Sequence, residues 1–299
     1  MVLSSGWFFL AAMILAYGVA NLLQSRAAAR TSVHHSFDPG LLWRLAGQRT
    51  YLLGIGCQAL GSVLAFLARR DLPLFLVQAS AAAGLGVTAL LGVLLLKWSL
   101  PTAEVGLLAL LLAGITALVI SAEPAHARRL GPAVIVALAA SLLIIAGLGF
   151  FAVRLHGAVG SVVLGSLAGV DFSAAAIAAR PLANEHTAAG FFTHPLLYLL
   201  IAHSLVGQLL LGLAMQRGST TAAVAAMDAA GAVPAAIVGL LLLGDRIEPG
   251  LGWLAGAGFV VTLGAVIGLT RYAEPQHHHA TAAARRTEPA PLRTAATGR

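Results

Sequence analysis

LGVLLLKWSLPTAEVGLLALLL, residues Leu91–Leu112, and VGLLLLGDRIEPGLGWLAGAGF, residues Val238–Phe259, carry the same punctuation. Each is the end of an apolar helix, a short polar break with one proline, and the start of a new helix rich in Leu and Gly. Val238 stands 147 residues after Leu91, and few positions are identical, so the match is one of hydropathy. A fixed offset between two such breaks, in a chain with few charges, points to a membrane protein built from paired halves.

The composition agrees. Of 299 residues, 59% are hydrophobic and 10% are charged, where a soluble domain carries about 25% charged residues. The charges sit in short clusters between long uncharged runs, which are too long for strands and too many for a single anchor. The net charge of +7 lies in loops and in the C-terminal segment, where orientation in a bilayer explains it, so nucleic acid is not an expected partner. The single cysteine, Cys57, excludes an intrachain disulfide and a thiolate metal site, and is expected as a small buried residue. The first segment lacks the basic n-region of a secretory signal and reads as a membrane span.

Nine segments reach the roughly 20 residues needed to cross a hydrocarbon core. They lie near 7–25, 50–68, 73–96, 103–121, 131–153, 157–179, 195–215, 219–243 and 250–270. A 147-residue shift places spans 1–4 on spans 6–9 and crosses five spans, an odd number, so the two units run in opposite senses. The predicted fold is therefore an all-α polytopic membrane protein, with two inverted four-helix units joined by a central helix. Its parts are an N-terminal half (1–121), a connector (122–156), a C-terminal half (157–271) and a disordered basic tail (272–299). The long connection 26–49 offers an amphipathic stretch around Leu41, Leu42, Trp43 and Leu45. With the N-terminus outside, twelve Lys and Arg fall on the cytoplasmic side and six on the outer side, which favours N-out and C-in.

Residues Leu211–Leu269 combine a basic turn at Arg217, an Ala-rich helix with Pro234 inside it, the turn Gly244-Asp245-Arg246 after a Leu run, and a Gly-rich last helix. This order of features resembles the closing helices of the drug/metabolite transporter (DMT, EamA-like) superfamily. The first half repeats the pattern less closely, with Lys97-Trp98 where the superfamily usually has an acid. Members commonly have ten helices. A nine-helix layout, one helix short in the N-terminal half, is similar to the NIPA branch of magnesium transporters, as is the layout of Ala59–Leu96. The resemblance implies a transporter fold, with magnesium as a narrower substrate.

Polar groups inside a bilayer point to function or to packing. Asp171 in span 6 and Asp228 in span 8 are acids well inside spans, each costing about 2.5–3.5 kcal/mol on insertion scales. No Lys or Arg lies deep in a span to pair with them, so each must be protonated, face water or bind a cation. These two are also the residues a metal would use under the magnesium alternative. His203, Ser204 and Gln208 share span 7, and histidine is the side-chain type suited to a proton switch. Asn21 and Gln24 make a polar step in span 1, and Gln58 and Gln78 are weaker candidates in spans 2 and 3. Interhelical hydrogen bonds are the plain alternative for all of them. Pro234 removes a donor within span 8 and suggests a gate or a passive kink. Gly165 and Gly169 in span 6, and Gly252, Gly256, Gly264 and Gly268 in span 9, predict close helix packing. Asp245, Glu123, Glu185 and Glu248 are expected as solvated loop acids, and Glu104 as a solvated acid at the start of span 4.

The leading expectation is a secondary transporter or facilitator of a small solute in the cytoplasmic membrane. A central polar cavity lined by spans 1, 2, 3, 6, 7 and 8 would hold Asp171 and Asp228 for proton or cation coupling. A divalent-cation carrier and a non-transporting accessory protein are the alternatives. The expected partners are the lipid bilayer and a small-molecule or ion substrate, and a homodimer is compatible. No phosphate-binding glycine loop and no convincing catalytic triad stand in the sequence, so neither ATP-driven transport nor an enzyme is expected, and no cofactor.

Overall fold

An uncharged run of Leu, Ala, Val and Gly in a bilayer has no water to bond its amides and carbonyls, so it bonds them internally as a helix. The computed structural model describes residues 5–29, 49–96, 100–125, 127–185, 187–217 and 220–286. The helices are α1 (Ser5–Ala29), α2 (Arg49–Ala68), α3 (Leu74–Ala81), α4 (Ala83–Leu96), α5 (Thr102–Ser121), α6 (Pro132–Ala152), α7 (Gly157–Leu182), α8 (Ala188–Thr193), α9 (Pro195–Arg217), α10 (Thr220–Val238) and α11 (Gly252–Arg286). Two short strands, β1 (Ala122–Glu123) and β2 (Arg246–Ile247), pair antiparallel.

Among the described residues, eight helical segments are long and apolar enough to cross a membrane. The ninth expected span, α2, has a shorter apolar stretch, Leu52–Ala68. Span 3 is two helices, α3 and α4, separated at Ala82, whose amide bonds the Ala79 carbonyl in a 3₁₀ turn. Span 8 continues past α10 as a π-helical turn, Gly239–Leu243, closed by Gly244 at φ 78°. That left-handed conformation is open to glycine at no steric cost. α11 runs on as helix to Arg286, past the end of its apolar stretch at Leu269 and through Pro275, where a disordered tail was expected. The amphipathic stretch at 41–45 and the Lys97-Trp98 break lie outside the described residues.

α1 packs on α2 and α4, α7 packs on α9 and α10, and α5 lies along α11. α7 has 67% of its span buried and α6 only 17%, so α7 is the hub of its half and α6 rides on the outside. Phe8, Leu143, Leu241 and Trp253 are 71–74% exposed, an apolar surface that suits lipid rather than water. Close approach is set by glycine. A β-carbon on Gly165 would stand 2.6 Å from the Ala223 carbonyl oxygen, and one on Gly169 would collide with the Met227 carbonyl. On α11 the spacing argument misplaces the contact. Gly252, Gly256 and Gly264 have nothing near their missing β-carbons, and the helix instead approaches α5 through Gly258, 2.8 Å from the Gly114 carbonyl by the same construction. Gly268 meets only the side chain of Leu107. Cys57 is half-buried rather than buried.

Candidate functional site

The polar side chains separate into three places. The first is one end of the bundle. Arg180, at the last turn of α7, is fully buried. Its Nη2 lies 3.0 Å from Asp245 Oδ1 and donates to the Ala125 carbonyl at 2.6 Å, while Nη1 donates to the Arg69 carbonyl. Asp245 Oδ2 accepts from the Leu74 amide at the start of α3, where the helix dipole favours a negative charge. The π turn and the left-handed Gly244 aim this carboxylate inward, so Asp245 is not the solvated loop acid expected from its position. Neighbouring contacts fasten the same end. Arg70 Nε donates to the Ala183 carbonyl at 2.8 Å, Asp71 accepts from the Gly6 amide at 3.1 Å, and an exposed Arg246–Glu123 pair at 3.7 Å flanks the two strands. Burial, reinforced by the charge on Arg180 and offset in part by Tyr17, pushes the Arg69 guanidinium down to about 10, which leaves it charged at neutral pH.

The second place is the pair Asp171–His203, both fully buried. His203 Nδ1 meets Asp171 Oδ1, and His203 Nε2 lies 3.1 Å from the Leu138 carbonyl on α6. A carbonyl only accepts, so Nε2 carries hydrogen. One further proton then sits between Nδ1 and Oδ1, either on an imidazolium facing a carboxylate or on a carboxylic acid facing a neutral ring. In both forms the pair is neutral overall. The partner of Asp171 is thus a histidine of span 7, not the Lys or Arg whose absence from the spans left this acid without an expected counter-charge. Asp171 therefore braces α7 against α9 and α6 and does not face the cavity that holds Asp228. Its Oδ2 is buried without a hydrogen bond.

The third place is a cavity of about 10 Å³, room for about one water molecule, between α3, α10 and α11. Gln78, Ala82, Asp228, Ala232, Phe259 and Thr262 line it. Asp228 accepts no hydrogen bond and faces no counter-ion among the described residues. Thr262 Oγ1 is buried with no hydrogen-bond partner. The Gln78 amide nitrogen lies near Gly231, 3.4 Å from where a β-carbon there would stand. The Ala82 amide, which in a continuous helix would bond the Gln78 carbonyl, turns to Ala79 instead. Through Ala229 and Leu263 the cavity adjoins a wider crevice of about 360 Å³ between α7, α10 and α11, which lies toward the end opposite Arg180.

Among the described residues, the other predicted ones do not line this cavity. Gln208 is exposed on α9 and Ser204 is half-buried beside it. Asn21 is half-buried on α1, and the Gln24 side chain falls outside the described residues. The Gln58 carbonyl accepts the Ser62 hydroxyl at 3.0 Å. Pro234 lies in α10 half-buried, and the carbonyl it leaves without a helical donor is that of Ala230, in the crevice wall. Spans 1, 2, 6 and 7 contribute nothing to the cavity, which draws instead on span 9. Thr262 carries no signal in sequence, because a threonine in an apolar helix can bond its own preceding turn. Arg180 and Asp245 read as loop charges until the ends of their helices are placed. Comparison with protein-family models, curated proteins and solved structures returns no match for this chain.

Proposed function

We propose that this integral membrane protein is a secondary transporter or facilitator of a small solute, with Asp228 as its proton- or cation-coupling group. The observation that carries the reading is an acid without hydrogen bond or counter-ion, lining a cavity between helices that belong to different halves. Such an acid is costly unless a mobile positive species neutralises it.

The packing supports inverted halves. α1 and α7 correspond under the 147-residue shift, and each is the helix on which its own half packs. Equivalent helices also meet each other, α5 with α11 and α3 with α10, as elements do across a two-fold axis. The close approach of Gly114 lies among Gly258 and Thr262, flanking its own counterpart Val261. Ala82 and its counterpart Ala229 line the same cavity. An axis through both crossings passes by Asp228, whose counterpart is Ala81. This is where inverted-repeat carriers hold their substrates and ions. The charge belongs to one half only, so the two halves are unequal in chemistry. One end is closed by the Arg180 network and the other has the crevice. Under the N-out orientation the closed end faces outward and the crevice faces the cytoplasm.

The test is uptake by reconstituted protein over a panel of solutes. Asp228→Asn abolishes coupled accumulation, while Asp171→Asn reduces the amount of folded protein more than the rate per folded molecule. If Asp228→Asn accumulates solute like the parent chain, the coupling role is wrong. The divalent-cation reading is weaker, because Asp171 and Asp228 face different neighbours. The small volume around Asp228 favours a second reading, a non-transporting accessory protein, which predicts that no solute on the panel moves.

A further inference from the structure

Asp228 is half-buried with no partner among the described residues, and the cavity it lines indicates what would neutralise it. We infer that the cavity between α3, α10 and α11 is a binding site for a single dehydrated monovalent cation of sodium size. The inference rests on the transporter reading for its purpose, but not for its chemistry.

Three features select the ion. The first is volume. A proton on Asp228 would need no space, yet the carboxylate lines a void of about 10 Å³, enough for one water-sized occupant. Potassium, being larger, fits less well. The second is the ligand set. Hard cations are held by oxygen, and the wall offers the Asp228 carboxylate, the Gln78 side-chain carbonyl and the Thr262 hydroxyl. Thr262 Oγ1 is buried without a hydrogen bond and faces the Gly114 backbone of α5, so it would reach an ion in the cavity by a rotation about χ1. The 3₁₀ interruption at Ala82 also releases the backbone carbonyl of Gln78, a residue of this wall, from its α-helical donor. Interrupted helices supply backbone carbonyls to coupling ions in this manner. The third is charge. Asp228 is the only acid in the wall, so a monovalent ion leaves the site neutral and a divalent ion leaves it positive in a medium of low dielectric. Among the described residues no three His, Cys, Asp or Glu gather to hold a metal elsewhere.

The experiment measures thermal unfolding of the purified full chain in detergent at pH 8. NaCl is titrated against choline chloride at constant ionic strength, with KCl and MgCl₂ in parallel. The expected result is a saturable rise of the unfolding midpoint in sodium, with potassium at least tenfold weaker and magnesium without specific effect. Asp228→Asn removes the response. Thr262→Val, which is isosteric and keeps the charge, weakens apparent sodium affinity at least tenfold, and Asp171→Asn leaves the sodium response intact. Identical curves in sodium and choline overturn the inference. So does a midpoint that follows pH through Asp228 but ignores sodium, the outcome for a proton site. No solute enters this assay. A sodium response without uptake therefore sinks the transport reading alone, and Asp228-dependent uptake without a sodium response sinks the cation site alone.

Discussion

At the scale of the residue, three acids, two buried and one half-buried, have three different fates. Asp171 shares a proton with His203, Asp245 is held by Arg180 and a helix N-terminus, and Asp228 has neither. Asp171 and Asp228 were both legible as candidates, since an acid inside an apolar run is costly wherever it points. Which one remains unsatisfied was not legible, because their partners lie 32 residues away for Asp171 and nowhere among the described residues for Asp228. Asp245 belongs to the stretch whose punctuation first suggested a repeat. Its removal should be severe. Asp245→Asn leaves Arg180 charged and buried, at a cost of about 3–5 kcal/mol, read as a lower unfolding midpoint in detergent. Pairing Asp245→Leu with Arg180→Met should recover only part of that loss, because the Ala125 and Arg69 carbonyls lose their donor as well. Full recovery would show that the carbonyl contacts contribute nothing.

At the scale of the element, hydropathy located the helices and glycine spacing located only some of their contacts. Gly165 and Gly169 are one turn apart on α7, and both meet the backbone of α10. The same spacing on α11 picks Gly252, Gly256 and Gly264, which face open space. A small-residue stripe shows that close approach is allowed, but the crossing point depends on the partner helix. Substitution separates the two sets. Gly165→Ala should cost about 1–3 kcal/mol by overpacking against a carbonyl that has little room to move, whereas Gly256→Ala should be neutral or slightly stabilising in the same unfolding assay. Equal effects would mean that α7 and α10 do not approach as closely as described. The interruption at Ala82 belongs to this scale too. AAAGLG at residues 81–86 contains nothing that forces a helix to break, and the 3₁₀ turn forms where α3 crosses α10.

At the scale of the whole molecule, the loops that an odd-even count of spans assigns to one face are gathered at one end. Residues 69–71, 122–125, 128, 183 and 243–248 bond one another there. Rocking of the halves would have to part this end. Glu123 and Arg246 are directly opposite in the two-stranded ladder, within reach of a disulfide. In a chain with Cys57→Ser, the pair Glu123→Cys and Arg246→Cys should cross-link under mild oxidation, block uptake, and release it on reduction. A membrane-impermeant thiol reagent should reach both cysteines from outside intact cells before oxidation. Full uptake by the cross-linked protein would rule out opening at this end, and labelling only after the cells are broken would reverse the proposed orientation.

The sequence by itself determined that this is a many-helix membrane protein and roughly where its helices run. Those properties depend on local transfer of apolar runs out of water, which composition and period record directly. Only the tertiary structure decided that His203 satisfies Asp171, that Arg180 and Asp245 close one end, and that Asp228 and Thr262 line one cavity. Each of these depends on helix rotation and crossing point, which lipid-soluble sequences leave weakly marked because nearly every face of such a helix is apolar.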